Sequence, residues 1–305
     1  MIRQKTISRS ISVTGIGLHS GRPVTLRMTP AAPGTGIVFL RNDVDRSLPI
    51  EARYDRVVDT RLCTCIGRDG VTVGTVEHLM SALYGLGVDN LMIDLDGPEI
   101  PILDGSAKGW VEHLLEAGLV NQRRARKVLV VRRPVEVRLG DATARLEPSS
   151  RFRVTASIDF DHALVSRQTY SFDFGAAGFV EEICKARTFA FKREVDFLRS
   201  QGLAQGGSLD NAIVVDDFSI LNSDGLRYSD EFVRHKILDA IGDLALSGEQ
   251  VIGHLILDRS GHALNNRLVH ELLSDERNFR RIVAAEPHGV EDHAMTLPAM
   301  VTSAS

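Results

Sequence analysis

The chain has 305 residues, 43% of them hydrophobic, which is enough to bury the core of one large domain or two of ordinary size. Its net charge of −4 is spread over both signs with no basic stripe, which argues against nucleic acid as a partner. Three cysteines in so long a chain make no disulfide framework and point to a reducing compartment, with the cytoplasm as default.

The first residues, MIRQKTISRSISVTG, hold no apolar run long enough for a signal peptide, and no later window approaches a membrane span. A soluble protein is expected, and nothing in the sequence calls for an obligate protein partner. His19, in 15-GIGLHSG-21, is either a ligand or substrate contact or an ordinary turn histidine. Next, 21-GRPVTLRMTP-30 reads as a strand entered from a glycine turn. Cys63 and Cys65 lack a second pair, so they read as a buried or incidental pair and not as a structural zinc site.

A helix is predicted over 76-VEHLMSAL-83, a β-rich run over 91-LMIDLDG-97 and a second helix within 104-DGSAKGWVEHLLE-116. The basic, Gln-rich 121-NQRRARK-127 reads as a linker. Beyond it come a strand in 140-GDATARLEP-148, a helix in 231-EFVRHKILDAIGDL-244, a β-rich run in 251-VIGHLILD-258 and a helix in 260-SGHALNNRLVHELLS-274. From about Glu286 to Ser305 periodicity is lost and a poorly ordered tail is expected.

These elements repeat. The helix 76–83 aligns with 233-VRHKILDAI-241, which sets His78 opposite His235. Gly105 lies 27 residues past His78, and Gly261 lies 26 past His235. The second half carries 38 extra residues before its histidine, placed within 189–225 and read as helix, Gly-rich turn and strand. The fold class is therefore α+β: two similar domains, 1–121 and 127–285, each a mixed sheet with helices on one face.

Val233, Ile237, Ala240, Ile241 and Leu244 form the buried stripe of the helix 231–244, while His235, Asp239 and Asp243 stack one turn apart on its other edge. Such an edge is often merely solvated. If an approximate two-fold relates the halves, however, His78 meets His235 and Asp239. Two His and one Asp suit zinc with a position left open for water. Glu77, directly before His78, is then a candidate base, although a first-turn acid favoured by the helix dipole is its alternative. Asp243 can hold a nearby imidazole protonated, and His262 is the candidate; it stands where the first half has Ser106, and a helix-capping role is its alternative.

The segments GIGLHSG, DTRLCTC, TVEHLMSAL, PEIPILDGSA, ARTFAF, EFVRHKILDAIGDL and SGHALNN, in this order, resemble the UDP-3-O-acyl-N-acetylglucosamine deacetylase family over nearly the whole chain. Ala190 and Lys192 depart from the residues common there. The resemblance implies zinc-dependent removal of acetate from UDP-3-O-(3-hydroxyacyl)-N-acetylglucosamine, the committed step of lipid A synthesis, in a cleft between two domains of similar fold. It implies zinc on His78, His235 and Asp239, Glu77 as base, and His262 as acid assisted by Asp243. Thr188 would help hold the oxyanion, and Lys236 and His19 would contact the sugar nucleotide. Phe189, Leu198 and Val214, on the inserted unit, would line a passage for the fatty chain, a small satellite core being the alternative reading of its apolar residues. A zinc hydrolase of another amide and a non-enzymatic zinc clip are the rival readings.

Overall fold

The computed structural model describes residues 1–284; the expected tail lies outside them. In the first half, strands Ile11–Ile16, Pro23–Pro30, Leu91–Leu95, Ile37–Arg41 and Ile50–Glu51 lie side by side in that order. All neighbours are antiparallel except Leu91–Leu95 and Ile37–Arg41. The second half repeats the plan with Val135–Leu139, Ala142–Glu147, His254–Asp258, Arg153–Asp159 and Arg167–Asp173, and its single parallel contact falls in the same place. Each sheet buries one face by period-two alternation, as in Val24, Leu26 and Met28 or in Val154, Ala156 and Ile158. The α+β reading with two similar domains holds.

Among the described residues six α-helices accompany the sheets. They are α1 (Glu77–Leu86), α2 (Lys108–Ala117), the short α3 (Ala176–Gly178) running into a π-turn, α4 (Lys192–Ser200), α5 (Glu231–Ala245) and α6 (His262–Ser274). α1 and α5 pack on each other; α5 and α6 also cover the second sheet, and α2 joins α1 to the first. Every residue of α1 is buried, and so is every residue of α5 except Arg234 and Lys236. The polar edge of α5 is thus an interior surface, not a solvated one. A β-carbon on Gly242 of α5 would lie 2.0 Å from the carbonyl oxygen of Glu77, so only glycine allows the two helices to approach this closely.

The stretch joining the halves is no loose tether. Leu119–Ala125 pairs antiparallel with Arg3–Ile7, and Lys127–Val131 pairs with Gln250–Ile252 and Phe279–Val283. Between them Arg126 is buried and bonds Asp89 at 2.7 Å. Charged side chains on a short edge strand are compatible with pairing, which composition alone reads as a linker.

The inserted unit has the expected helix and strand, α4 and Ile213–Val215, preceded by a further strand, Phe189–Phe191, which runs parallel to the latter. Phe191, Ile213 and Val215 join the main core, whereas α4 buries no residue fully. Glycines let the unit press on the first half: a β-carbon on Gly206 would meet the Gly17 oxygen at 2.3 Å. Among the described residues no helix is long and apolar enough to cross a membrane.

Candidate active site

The crossing of α1 and α5 brings together the residues that the repeat sets opposite each other. The His78 and His235 ring centroids are 5.0 Å apart and nearly perpendicular. Asp239, one turn along α5, places Oδ1 3.2 Å from His235 Nε2 and 3.4 Å from His78 Nε2. All three side chains are buried, with ligand-type atoms within 4.8 Å of one another. His235 Nδ1 donates to the Ala186 carbonyl at 3.1 Å, which turns Nε2 and its lone pair toward the group. Burial lowers the His235 pKa to about 3, so its imidazole is neutral, the ligating form.

Asp239 Oδ1 and His78 Nδ1 are buried without a hydrogen-bond partner. Lys236 Nζ bonds the other Asp239 oxygen at 2.8 Å. Burial opposes the charge on Asp239, but His235 and Lys236 hold its pKa well below the ordinary carboxylate value. An unpaired carboxylate oxygen beside two imidazoles fits the donor set of a three-ligand zinc site.

A second polar group lies alongside. Glu77 Oε2 accepts the Thr64 N–H at 3.0 Å, and Oε1 faces His262 Nε2 across 3.9 Å. His262, the first residue of α6, bonds Asp243 Oδ2 through Nδ1 at 2.9 Å. Asn265 Nδ2 donates to the same Asp243 oxygen at 2.9 Å, and the Thr64 hydroxyl donates to Oδ1 at 2.5 Å. Burial alone would lower the His262 pKa, but the Asp243 and Glu77 carboxylates outweigh it and raise it to about 10. Burial also pushes Glu77 up to about 8, against the charge of His262. The arrangement sets an imidazole held in its charged form by Asp243 opposite the carboxyl of Glu77, the residue directly before His78.

Residues 4–274 match the family described as UDP-3-O-acyl N-acetylglycosamine deacetylase. The chain belongs to that family. Its relatives include the UDP-3-O-acyl-N-acetylglucosamine deacetylase of Myxococcus xanthus (strain DK1622), 54% identical over 92% of this chain and 90% of that protein. The protein of the same name from Histophilus somni (strain 129Pt) is 50% identical over 90% and 92%. That from Idiomarina loihiensis (strain ATCC BAA-735 / DSM 15497 / L2-TR) is 47% identical over 99% and 100%. As a member of this deacetylase family the protein is an enzyme.

The other residues that the family resemblance puts at the site are Thr188, Phe189, His19, Leu198 and Val214. Thr188 is tied by its backbone, donating N–H to Gly105 and accepting from Ile213 N–H, each at 2.8 Å. The next residue, Phe189, lies with its ring 6.4 Å from that of His235 and 5.7 Å from Lys236 Nζ. The His19 N–H is held by Glu99 at 2.9 Å, and both ring nitrogens of His19 are buried without a hydrogen-bond partner; it is not one of the grouped metal-type ligands. Leu198 on α4 and Val214 on the inserted strand are each half-buried. Phe160, which sequence reasoning missed, meets Phe189 edge-on and Phe191 at a tilt, its ring centroid 5.6 Å from each.

Sequence reasoning also missed the supports. Thr64 and Asn265 lie inside the motifs DTRLCTC and SGHALNN, where their polar side chains were the available signal. The Ala186 carbonyl that orients His235 is itself fixed by its neighbour, Arg187, in a fully buried ion pair with Glu231 at 2.9 Å.

Proposed function

We propose that the enzyme removes acetate from UDP-3-O-(3-hydroxyacyl)-N-acetylglucosamine in lipid A synthesis, in the cytoplasm, with zinc on His78, His235 and Asp239. The observation that carries this is the buried, unpaired Asp239 Oδ1 between two imidazoles, set beside the facing pair Glu77 and His262. Family membership supports the substrate, and the donor set supports the metal.

When bound, zinc supplies Lewis acidity toward the amide carbonyl and a lowered water pKa, to roughly 7. Glu77, anchored through one oxygen by Thr64, takes a proton from the attacking water with the other. The amide nitrogen leaves poorly as an anion, so His262 delivers a proton to it. Asp243 keeps that imidazole charged and fixes Nδ1, leaving Nε2 to act. Thr188 helps hold the oxyanion, while Lys236 and His19 contact the sugar nucleotide. Phe189, Leu198 and Val214 form the wall along which the fatty chain lies, and the two domains span 1–121 and 127–285.

The test is acetate release from the acylated sugar nucleotide by purified protein, before and after chelation. Chelation is expected to abolish turnover, and substoichiometric zinc to restore it. Full activity in a metal-free preparation overturns the zinc assignment. Absence of acetate release by the zinc-loaded protein overturns the substrate.

A further inference from the structure

The motif 63-CTC-65 takes no part in this chemistry, yet it grips it. Cys63 Sγ and Cys65 Sγ are 3.6 Å apart, the contact of two reduced thiols, against about 2.05 Å in a disulfide. Cys63 is buried and Cys65 partly open to solvent. Cys184 plays no part, being buried with its thiol on the Val180 carbonyl.

Between the two thiols stands Thr64, with no exposed surface. Its N–H donates to Glu77, its hydroxyl to Asp243, and its carbonyl accepts the Val76 N–H at 3.2 Å. Each of its polar groups is thus committed to α5, to α1 or to the residue that caps α1, two of them to carboxylates, Glu77 and the Asp243 that holds His262.

We propose that Cys63 and Cys65 form a site of oxidative modification, a dithiol that a hydroperoxide closes to a disulfide, and that closure turns turnover off through Thr64. The bridge itself is independent of the proposed function; its effect on turnover rests on the roles given there to Glu77 and Asp243.

The chemistry balances without further reagents. Cys65, as thiolate, attacks the peroxide: an S–O bond forms, the O–O bond breaks and the leaving oxygen departs as water or alcohol. The Cys63 sulfur then attacks the Cys65 sulfenic sulfur, forming S–S and breaking S–O, and the hydroxide leaves as water with the Cys63 proton. The dithiol loses two electrons and two protons to the peroxide. Cys65 is the attacking partner because it is the accessible one, and the Cys63 thiol donating to it favours its thiolate.

Drawing the sulfurs from 3.6 Å to about 2.05 Å shortens the span across Thr64. Thr64 has no unpaired polar group to spare, so its peptide N–H and hydroxyl turn away from Glu77 and Asp243. Misplacement of catalytic groups by about 1 Å costs on the order of a hundredfold in rate.

The test treats the metal-loaded enzyme with hydrogen peroxide, quenches with catalase, and divides the sample between the acetate assay and tryptic digestion. Cleavage after Arg61 and Arg68 releases 62-LCTCIGR-68, which holds both cysteines and excludes Cys184. This peptide is expected to lose two hydrogens and resist alkylation as acetate release falls about a hundredfold in parallel, and dithiothreitol is expected to restore both. Cys63→Ser and Cys65→Ser enzymes are expected to keep their activity through the same treatment. The proposal is overturned if the peptide stays alkylatable while activity is lost, if the bridge forms without loss, or if the serine variants are inactivated as fast as the native enzyme. If the reduced protein releases no acetate, the assigned reaction fails, while the mass and alkylation of the peptide still decide the dithiol.

Discussion

Glu77 Oε1 and His262 Nε2 face each other across 3.9 Å, too far for a hydrogen bond, so neither is spent on the other. Their other atoms are occupied, Glu77 Oε2 by Thr64 and His262 Nδ1 by Asp243. Glu77→Ala and His262→Ala are each expected to lower kcat by about a hundredfold to ten-thousandfold with metal content unchanged. Metal analysis beside the kinetics checks this, and loss of zinc from the His262 variant would make that residue a ligand.

The pH dependence of His262 follows from its surroundings. Its folded pKa, about 10, lies above the ordinary 6.5, so the charged form stabilises the fold fully below about 6.5 and that contribution fades as pH rises through about 10. Asp243 is the main group raising it, against burial. In Asp243→Asn the alkaline limb of kcat/KM is therefore expected to move to lower pH, and the pH–rate profile of native and variant enzymes measures the displacement.

Thr64→Val preserves shape and the backbone N–H to Glu77 but removes the hydroxyl from Asp243 Oδ1. A buried carboxylate oxygen left without its donor costs about 1–3 kcal/mol. Chemical denaturation is expected to show a loss of that size. Because Asp243 is then less firmly held, kcat should fall while KM changes little. A fall in stability with unaltered kcat would mean that Thr64 only packs.

Leu198→Trp and Val214→Trp test the wall assigned to the inserted unit. A buried methylene is worth about 0.8 kcal/mol before ordering costs, so on the proposed reading a long acyl chain would supply much of the binding energy that positions the acetamide. Both variants are expected to lose kcat/KM far more steeply on a long-acyl substrate than on a short-acyl analogue. Equal losses on both substrates, with unchanged circular dichroism, would leave the insertion a purely structural part.

The sequence carries the broad plan because apolar periodicity and an internal repeat are properties of single residues and their spacing. The nearness of His78, His235 and Asp239 is readable in the same way, since the repeat aligns the two histidines and one helical turn adds the carboxylate. Thr64 is not readable so, because it meets Glu77 through a backbone N–H and Asp243 from 179 positions away. The buried pair Arg187 and Glu231 looks like two ordinary surface charges until the fold removes their water. Likewise 121-NQRRARK-127 looks like a tether because its pairing partner, Arg3–Ile7, lies at the other end of the first half.

The shared strand order of the two sheets bears on ancestry. A half-length chain that paired with a copy of itself would bring one histidine from each copy to the symmetry axis, where His78 and His235 now meet. Tandem duplication of such a chain is the simplest history for this one, and it frees the copies to diverge. By the same alignment Asp239 stands against Ala82, Glu77 against Arg234, and His262 against Ser106. Glu77 thus stands in the first half alone and Asp239 and His262 in the second alone, so neither half by itself carries the whole of the proposed centre.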